Sequence, residues 1–491
     1  MLIITRMPRV GTFLVLMVAL ATADASALVW DHLASNVGDL PSPGPGDQQT
    51  GCHVLDIDQD GLNDFVIAER TLSPSIVWYR RHASGWDRYV IEDLVMPMDA
   101  GGHFADIDGD GDLDISFGGG FDSNEIWWWA NPAPVFHPDS TWTRRLIKNT
   151  GSNKHHDQLF GDFDQDAREE LVFWNQLAGG QLMMAEIPAD PLLPDPWAFA
   201  PIFTGDPNSE GLAAADVDLD GHPDIVGAGF WHEFDGAGGF IPHAIAPDMA
   251  FSRTAVGQLI PGGRPEVVFC PGDGSGSLAW YEWQDGVWTE TIALPLVVHG
   301  HSLQVADIDA DGLQDIFVAE MHTPGAGSAA QVRILFGDGT GNFTTETLAT
   351  GLGTHEGRVA DLDGDGDLDI LGKPFSEAAP NINVWLQEGA PAALWNFSGQ
   401  ILDPFPHPEP TGRIDDLQVA DIDGDSWPDL WLPGSAGQDT LYQMHWYKGP
   451  FWQRFAINQG NFGPGAWCDL DGDGDLDLAV ERTSGTPTVV W

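Results

Sequence analysis

Cysteine is nearly absent. The 491 residues contain 3, at Cys52, Cys270 and Cys468, an odd number without a CxxC pair. That excludes a disulfide framework and a cysteine zinc site, and the three are expected to be buried thiols. Positive charge is also scarce, with 20 lysines and arginines against 74 aspartates and glutamates, a formal net charge of −54. Such a surface repels phosphates, so nucleic acid and anionic membranes are excluded as partners. No GxSxG, HExxH, P-loop or Rossmann signature is present, which removes several enzyme classes. Helical periodicity is missing throughout.

The only long apolar run is at the start. Arg6 and Arg9 precede Gly11 to Ala21, GTFLVLMVALA, and Ala25-Ser26-Ala27 follows as a small-x-small cleavage site. The run is short for a membrane span and reads as a secretory signal over 1–27, leaving a mature chain near Leu28 without a transmembrane segment. An exported protein, secreted or held at the cell surface or in the periplasm, is expected. Oligomeric state is not legible.

What is abundant is acid, and it is clustered. A D-x-D-x-D-G-x-x-D pattern begins at Asp56, Asp106, Asp162, Asp216, Asp307, Asp361, Asp421 and Asp469. A ninth, degenerate copy, QLIPGGRPEVVF from Gln258 to Phe269, keeps the flanks but is read as lacking the acids. Successive copies are 42 to 60 residues apart, the size of a four-stranded propeller blade. Each unit continues alike: a β-rich run such as DIFVA, a strand ending in tryptophan such as SIVWYR or SLAWYEW, then a fourth strand such as WDRYVIE or WQRFAIN. The chain ends on PTVVW, which matches a third strand, while WDHLASN at Trp30 resembles a fourth. The expectation is therefore an all-β fold over 28–491: one propeller of four-stranded blades, seven to nine in number, closed by pairing of N- and C-terminal segments.

The acidic pattern suits a hard cation. Carboxylates at positions 1, 3, 5 and 9 with the carbonyl of position 7 can surround one ion with oxygen, and glycine at 6 permits the turn. Calcium fits this all-oxygen set better than zinc. The candidate ligands are Asp56, Asp58, Asp60 and Asp64; Asp106, Asp108, Asp110 and Asp114; Asp162, Asp164, Asp166 and Glu170; Asp216, Asp218, Asp220 and Asp224. In the later copies they are Asp307, Asp309, Asp311 and Asp315; Asp361, Asp363, Asp365 and Asp369; Asp421, Asp423, Asp425 and Asp429; Asp469, Asp471, Asp473 and Asp477. The third copy, with Ala167 at the turn, is the weakest match, and Ser426 replaces the glycine of the seventh.

On these loops and their spacing the chain resembles the FG-GAP or VCBS-type propeller repeats, related to the head of integrin α subunits. The resemblance covers nearly all of the mature chain. It implies loops in the hairpin between the first two strands of each blade and structural calcium. It does not imply one function, since members include adhesion modules and propeller parts of carbohydrate-active enzymes.

The repeat is least uniform just before each loop. Six residues upstream stand Thr50, Ala100, His156, Glu210, Ser252, His301, His355, Asp415 and Gly463. Asp157, Arg253, Glu356 and Asp416 follow, with Arg358 two residues after Glu356. The second strand is expected to add Asn175, Trp231, His232, Glu320, His322, Lys373 and Glu377 at the same channel mouth. Ionisable groups concentrate in the middle and later copies, as at a binding site built on a symmetric scaffold. They are expected to line a solvent-filled depression opposite the acidic loops; ordinary polar lining of a wet channel is the plainer alternative.

Three chemistries fit these residues. His299 and His301 share one strand face and, with His322 and His355, could hold a transition metal. His301, His322 or His355 as base, with Arg358 or Lys373 against a carboxylate, is the toolkit of a polysaccharide lyase, although no tyrosine acid stands nearby. Simple binding of an extracellular carbohydrate or protein ligand, as an adhesion module would do, is the leading expectation. Among functions, the lyase is the runner-up to binding, and a purely structural surface protein is the third reading.

Overall fold

The computed structural model describes residues 28–388 except 139, 178, 324–326 and 377, together with the backbone of strands at Leu16–Ala19 and between 397 and 490. It divides into two compact units, 25–392 and a second made of 1–24 with 393–491.

The first unit is a seven-bladed β-propeller. Blade one consists of Gln49–Leu55, Asp64–Glu69, Ile76–His82 and Gly85–Glu92, paired antiparallel in chain order. Blades two to six, opening at His103–Ala105, Gln158–Gly161, Ala213–Ala215, Ser252–Gly257 and Ser302–Ala306, repeat that plan. The seventh takes three strands from Arg358–Ala360, Asp369–Gly372 and Asn383–Glu388, and its fourth from the start of the chain, Val29–Ala34. First strands of successive blades contact one another and ring the axis.

The core lies between blades. Each of seven buried apolar clusters joins two neighbours: Trp78 and Ile91 of blade one pack with Phe117 and Trp129 of blade two, and Phe65 and Tyr79 pack with Leu371 and Val384 of blade seven. This explains the tryptophan repeated in the third strands. A large flat side chain fills the wedge that opens between twisted sheets as they fan outward.

The N-terminal strand does close the ring, but its partner is not the chain end. Val29 pairs with Glu388 and Ala34 with Asn383, while the His32 ring stacks on Trp385 at 4.9 Å. The WDHLA strand was expected against PTVVW because that segment lacked a fourth strand; the seventh blade lacked one too. The eighth and ninth repeats belong to the second unit. There Gln418–Ala420, Asp429–Leu432, Gln443–Lys448 and Gln453–Gln459 form a four-stranded sheet, and Phe462–Cys468, Asp477–Arg482 and Thr488–Val490 a three-stranded one. Asp415, Asp416, Asp421, Asp423, Asp425, Asp469, Asp471, Asp473 and Glu377 lie outside the described residues. Of Asp429 and Asp477 only the backbone is described.

Candidate functional site

Among the described residues each acidic loop joins the first and second strands of its blade, as the resemblance implied. In blade one Asp56 accepts from the amides of Asp60 and Gly61 at 3.1 and 2.9 Å, and Asp60 from that of Leu62 at 3.0 Å. These bonds wind the chain so that carboxylates face inward. Ligand oxygens lie within 4.8 Å of one another in Asp56/Asp58/Asp64, Asp106/Asp108/Asp110, Asp162/Asp164/Asp166/Glu170, Asp216/Asp218/Asp224 and Asp307/Asp309/Asp311. The Asp58 side chain is only 2% exposed, and its Oδ1, like that of Asp108, has no hydrogen-bond partner among the described residues. Arg80 pairs with the other oxygen of Asp58, and an unpartnered buried carboxylate oxygen is costly, so each of these Oδ1 atoms is a candidate cation ligand.

Position 9 does something else as well. Asp114 accepts from the amides of Ile107 and Asn131 at 3.1 and 2.8 Å, and Asp369 from those of Leu362 and Gln387 at 2.7 and 2.8 Å. This acid clips the loop to the third strand. Burial pushes Asp114 up to about 8 and Asp369 to about 7. The ninth-position acid survives as Glu266 in the fifth blade, where it accepts from the Ile260 amide at 3.1 Å. There Gln258 replaces the first acid, and its side-chain amide donates to the carbonyls of Ile260 and Gly262 at 2.8 and 3.0 Å. The amide closes this turn from within the loop.

Positions 4 and 6 both take left-handed backbone. Gln59, Gln165, Leu219 and Ala310 have φ of 58°, 62°, 66° and 54° at position 4, and position 6 is glycine in the described loops except Ala167, at 67°. The sequence shows the need at position 4 only in part: Gly109 and Gly364 stand there with φ of 74° and 81°, whereas the other four acidic loops described carry ordinary residues.

At the other end of the first strands the unlike residues do converge. Arg253 of blade five lies 2.8 Å from Asp157 of blade three and 2.6 Å from Glu356 of blade seven, and Arg358 pairs with Glu356 at 3.1 Å. His156 lies 2.8 Å from Asp157 and 3.6 Å from Glu210. His301 stacks on His355 at 4.9 Å. Burial disfavours ionisation of Asp157, yet Arg253 and His156 outweigh it and hold its carboxyl well below the usual range. Burial likewise opposes a charged His156, but Glu210 and Asp157 carry it up to about 9. Glu356 is held low by Arg253 and Arg358 against the same burial.

The cluster is sealed rather than open. His301, His355 and Glu356 are 3%, 4% and 0% exposed, so the expected solvent-filled depression is not what these residues line. Lys373 does not face the cluster: its ammonium donates to the carbonyls of Gln49 and His355, at 3.1 and 2.6 Å. Glu320 turns away from the cluster, bonding Arg333 of its own blade at 2.8 Å, the Gln331 amide at 3.0 Å and the Val298 amide of blade five at 3.0 Å. His322 packs against Gly353. Trp231 and His232 sit on the third strand of blade four, Phe230–Phe234, because Ala228-Gly229 makes a two-residue turn that ends the second strand early. His232 is buried beside Phe203, ring centroids 4.7 Å apart. Asn175 ends the second strand of blade three, buried. Sequence reasoning missed Asp273, which reaches His301 from the turn after the second strand of blade five at 3.2 Å.

An open feature lies elsewhere. Between the outer strands of blades four and five a groove is lined by Trp231, His243, Trp283 and Trp288. His243 stacks on Trp231 at 4.2 Å and meets Glu233 at 2.8 Å; Arg264 lies 5.7 Å over Trp231 and 5.1 Å over Trp283. Trp283 is 36% exposed, and the buried Trp288 Nε1 has no partner among the described residues.

Seven sheets around an axis, each with its hairpin loop between the first two strands, define a β-propeller. The sequence carries repeats of one particular kind: the model of the FG-GAP-like repeat matches residues 56–116, 263–318 and 307–372. No curated protein matches the sequence. Among solved structures the chain is similar to the BP39L lectin from Burkholderia pseudomallei, at 12% identity and a TM-score of 0.49 over 72% of this chain and 98% of that one. It is also similar to the six-bladed fungal lectin of Aleuria aurantia, at 14% identity and 0.37 over 63% and 98%. A third is the V. cholerae biofilm matrix protein Bap1, at 12% and 0.34 over 89% and 85%. These likenesses concern the propeller fold alone. No helix among the described residues is long and apolar enough to cross a membrane.

Proposed function

We propose that this chain is an exported, calcium-stabilised propeller that binds an extracellular carbohydrate in the groove between blades four and five. The observation that carries the reading is the composition of that groove. Trp283 offers an exposed indole, against which the apolar face of a pyranose ring packs. Glu233, His243 and Arg264 supply a polar rim able to pair with vicinal hydroxyls. The calcium part rests on the gathered loop carboxylates.

The sealed channel cluster argues for binding rather than cleavage. A lyase needs a cation against the substrate carboxylate, and Lys373 is already spent on two carbonyls, while burial and Lys373 push His355 well down and leave it a weak base.

The test is calorimetry and array binding against neutral and acidic polysaccharides, with wild type and Trp283→Ala. One or more glycans should bind wild type, and the variant should lose binding at an unchanged melting temperature. Absence of binding across the panel, or binding that Trp283→Ala leaves intact, would refute the groove. Capture of a protein ligand there instead would favour an adhesion module.

A further inference from the structure

The turn at Gly272-Asp273 brings together donors that the acidic loops lack. Glu210 is 1% exposed. Its Oε1 is anchored by Gln176 Nε2 at 3.3 Å, with His156 Nε2 at 3.6 Å and Lys154 Nζ at 3.9 Å. Its Oε2 has no hydrogen-bond partner among the described residues. That oxygen faces the space above Gly272, where a Cβ would stand 2.9 Å from it and 3.7 Å from His301 Nε2. His301 Nε2 in turn lies 3.2 Å from Asp273 Oδ1. Glu210 Oε2 and His301 Nε2 thus border the place a side chain at residue 272 would take, and Asp273 Oδ1 adjoins His301 Nε2, so three segments bring their donors together.

We propose that Glu210 Oε2, His301 Nε2 and Asp273 Oδ1 form a site for one divalent transition-metal ion, separate from the calcium loops. An imidazole with two carboxylates suits manganese, iron, cobalt or zinc, whereas calcium takes oxygen alone. Anchoring of Oε1 by Gln176 fixes the carboxylate with its other oxygen toward the ion, as outer partners of metal ligands do. The Asp273 side chain is 52% exposed, so the ion would keep water on its open side. The ligands differ from the four histidines that the sequence suggested. His322 packs on Gly353, His355 stacks flat on His301, and His299 Nδ1 accepts from the Gly274 amide at 3.2 Å. The site stands independently of the carbohydrate reading.

The experiment uses the full mature chain saturated with calcium, titrated with Mn²⁺ by electron paramagnetic resonance and with Co²⁺ by visible absorption. One equivalent should bind, with cobalt bands typical of nitrogen ligation, displaced by Zn²⁺. His301→Ala should weaken binding roughly tenfold or more. Gly272→Ala should do the same by placing a methyl against Glu210 Oε2, and it decides the matter if His301→Ala does not fold. His322→Ala should bind as wild type does. No Mn²⁺ or Co²⁺ bound above the calcium-saturated background, or one equivalent retained in Gly272→Ala and His301→Ala, overturns the proposal.

Discussion

Arg253 Nη2 lies 2.6 Å from Glu356 Oε1, joining the fifth blade to the seventh, while the same guanidinium holds Asp157 of the third at 2.8 Å. One buried cation therefore ties three blades at one end of the channel. Removing it leaves Glu356 to Arg358 and Asp157 to His156, each short of one buried charge partner. Arg253→Met should cost about 3–5 kcal/mol, the range for breaking a buried pair, measured by denaturant unfolding. Adding Asp157→Asn and Glu356→Gln should recover part of that loss; a single substitution costing nothing would show that the network is not buried as described.

Ala167 is the only non-glycine at loop position 6 among the described loops, and its φ is 67°. A β-carbon in that region costs on the order of 1–2 kcal/mol. Ala167→Gly should therefore stabilise the third blade by roughly 1 kcal/mol, and Gly61→Ala, at φ 89°, should destabilise the first by a similar amount. Equilibrium unfolding of both variants checks the pair of opposite signs.

His232 is fully buried, with neither ring nitrogen hydrogen-bonded among the described residues. Burial lowers it to about 3, and lowers His103 to about 4 and His155 to about 3. Each therefore binds its proton more readily when the chain unfolds. Between about pH 6.5 and those folded values the unfolded state holds more protons, so stability falls as pH falls. His232→Phe keeps the ring against Phe203, removes one titration, and should raise the melting temperature most at pH 5. Melting profiles against pH in saturating calcium read this directly. Equal gains at pH 5 and pH 8 would count against the assignment.

Closure depends on a few contacts of the first strand. His32 stacks on Trp385 and bonds Asn383 at 3.0 Å. His32→Ala should lose roughly 1–2 kcal/mol from the stack and the hydrogen bond together. Deleting 28–35 should leave the edge of Asn383–Glu388 unpaired and promote aggregation, visible by light scattering.

The blade plan was legible because loop acids and third-strand tryptophans recur at matched places. The position of His156, Glu210, His301, His355 and Glu356 was legible too, since counting back from each loop reaches the start of the first strand. Their burial was not, because Arg253 neutralises residues two blades away on either side, and pairings across a ring leave no mark on spacing. Asp273 was missed because it comes from a turn outside the counted positions. His232 was misplaced because a two-residue turn at Ala228-Gly229 moved it to the next strand. Lys373 looked like a free cation, and only the carbonyls of Gln49 and His355 around it show otherwise. The closing strand was recognised from WDHLA, but two blades lacked a fourth strand and sequence alone did not choose between them.

The central claim, that bound calcium holds the loops, is tested most directly by thermal melting of the metal-stripped protein as calcium is returned. Eight ions would move the formal charge from −54 to −38, since each carries two positive charges. Ions that bind only the folded loops would make the melting temperature climb steeply with calcium concentration. Asp363→Ala should blunt the climb. Gln258→Ala should lower melting equally with and without calcium, because its loop is closed by an amide. Melting curves that coincide in excess chelator and in excess calcium, after metal removal is confirmed, would contradict the account.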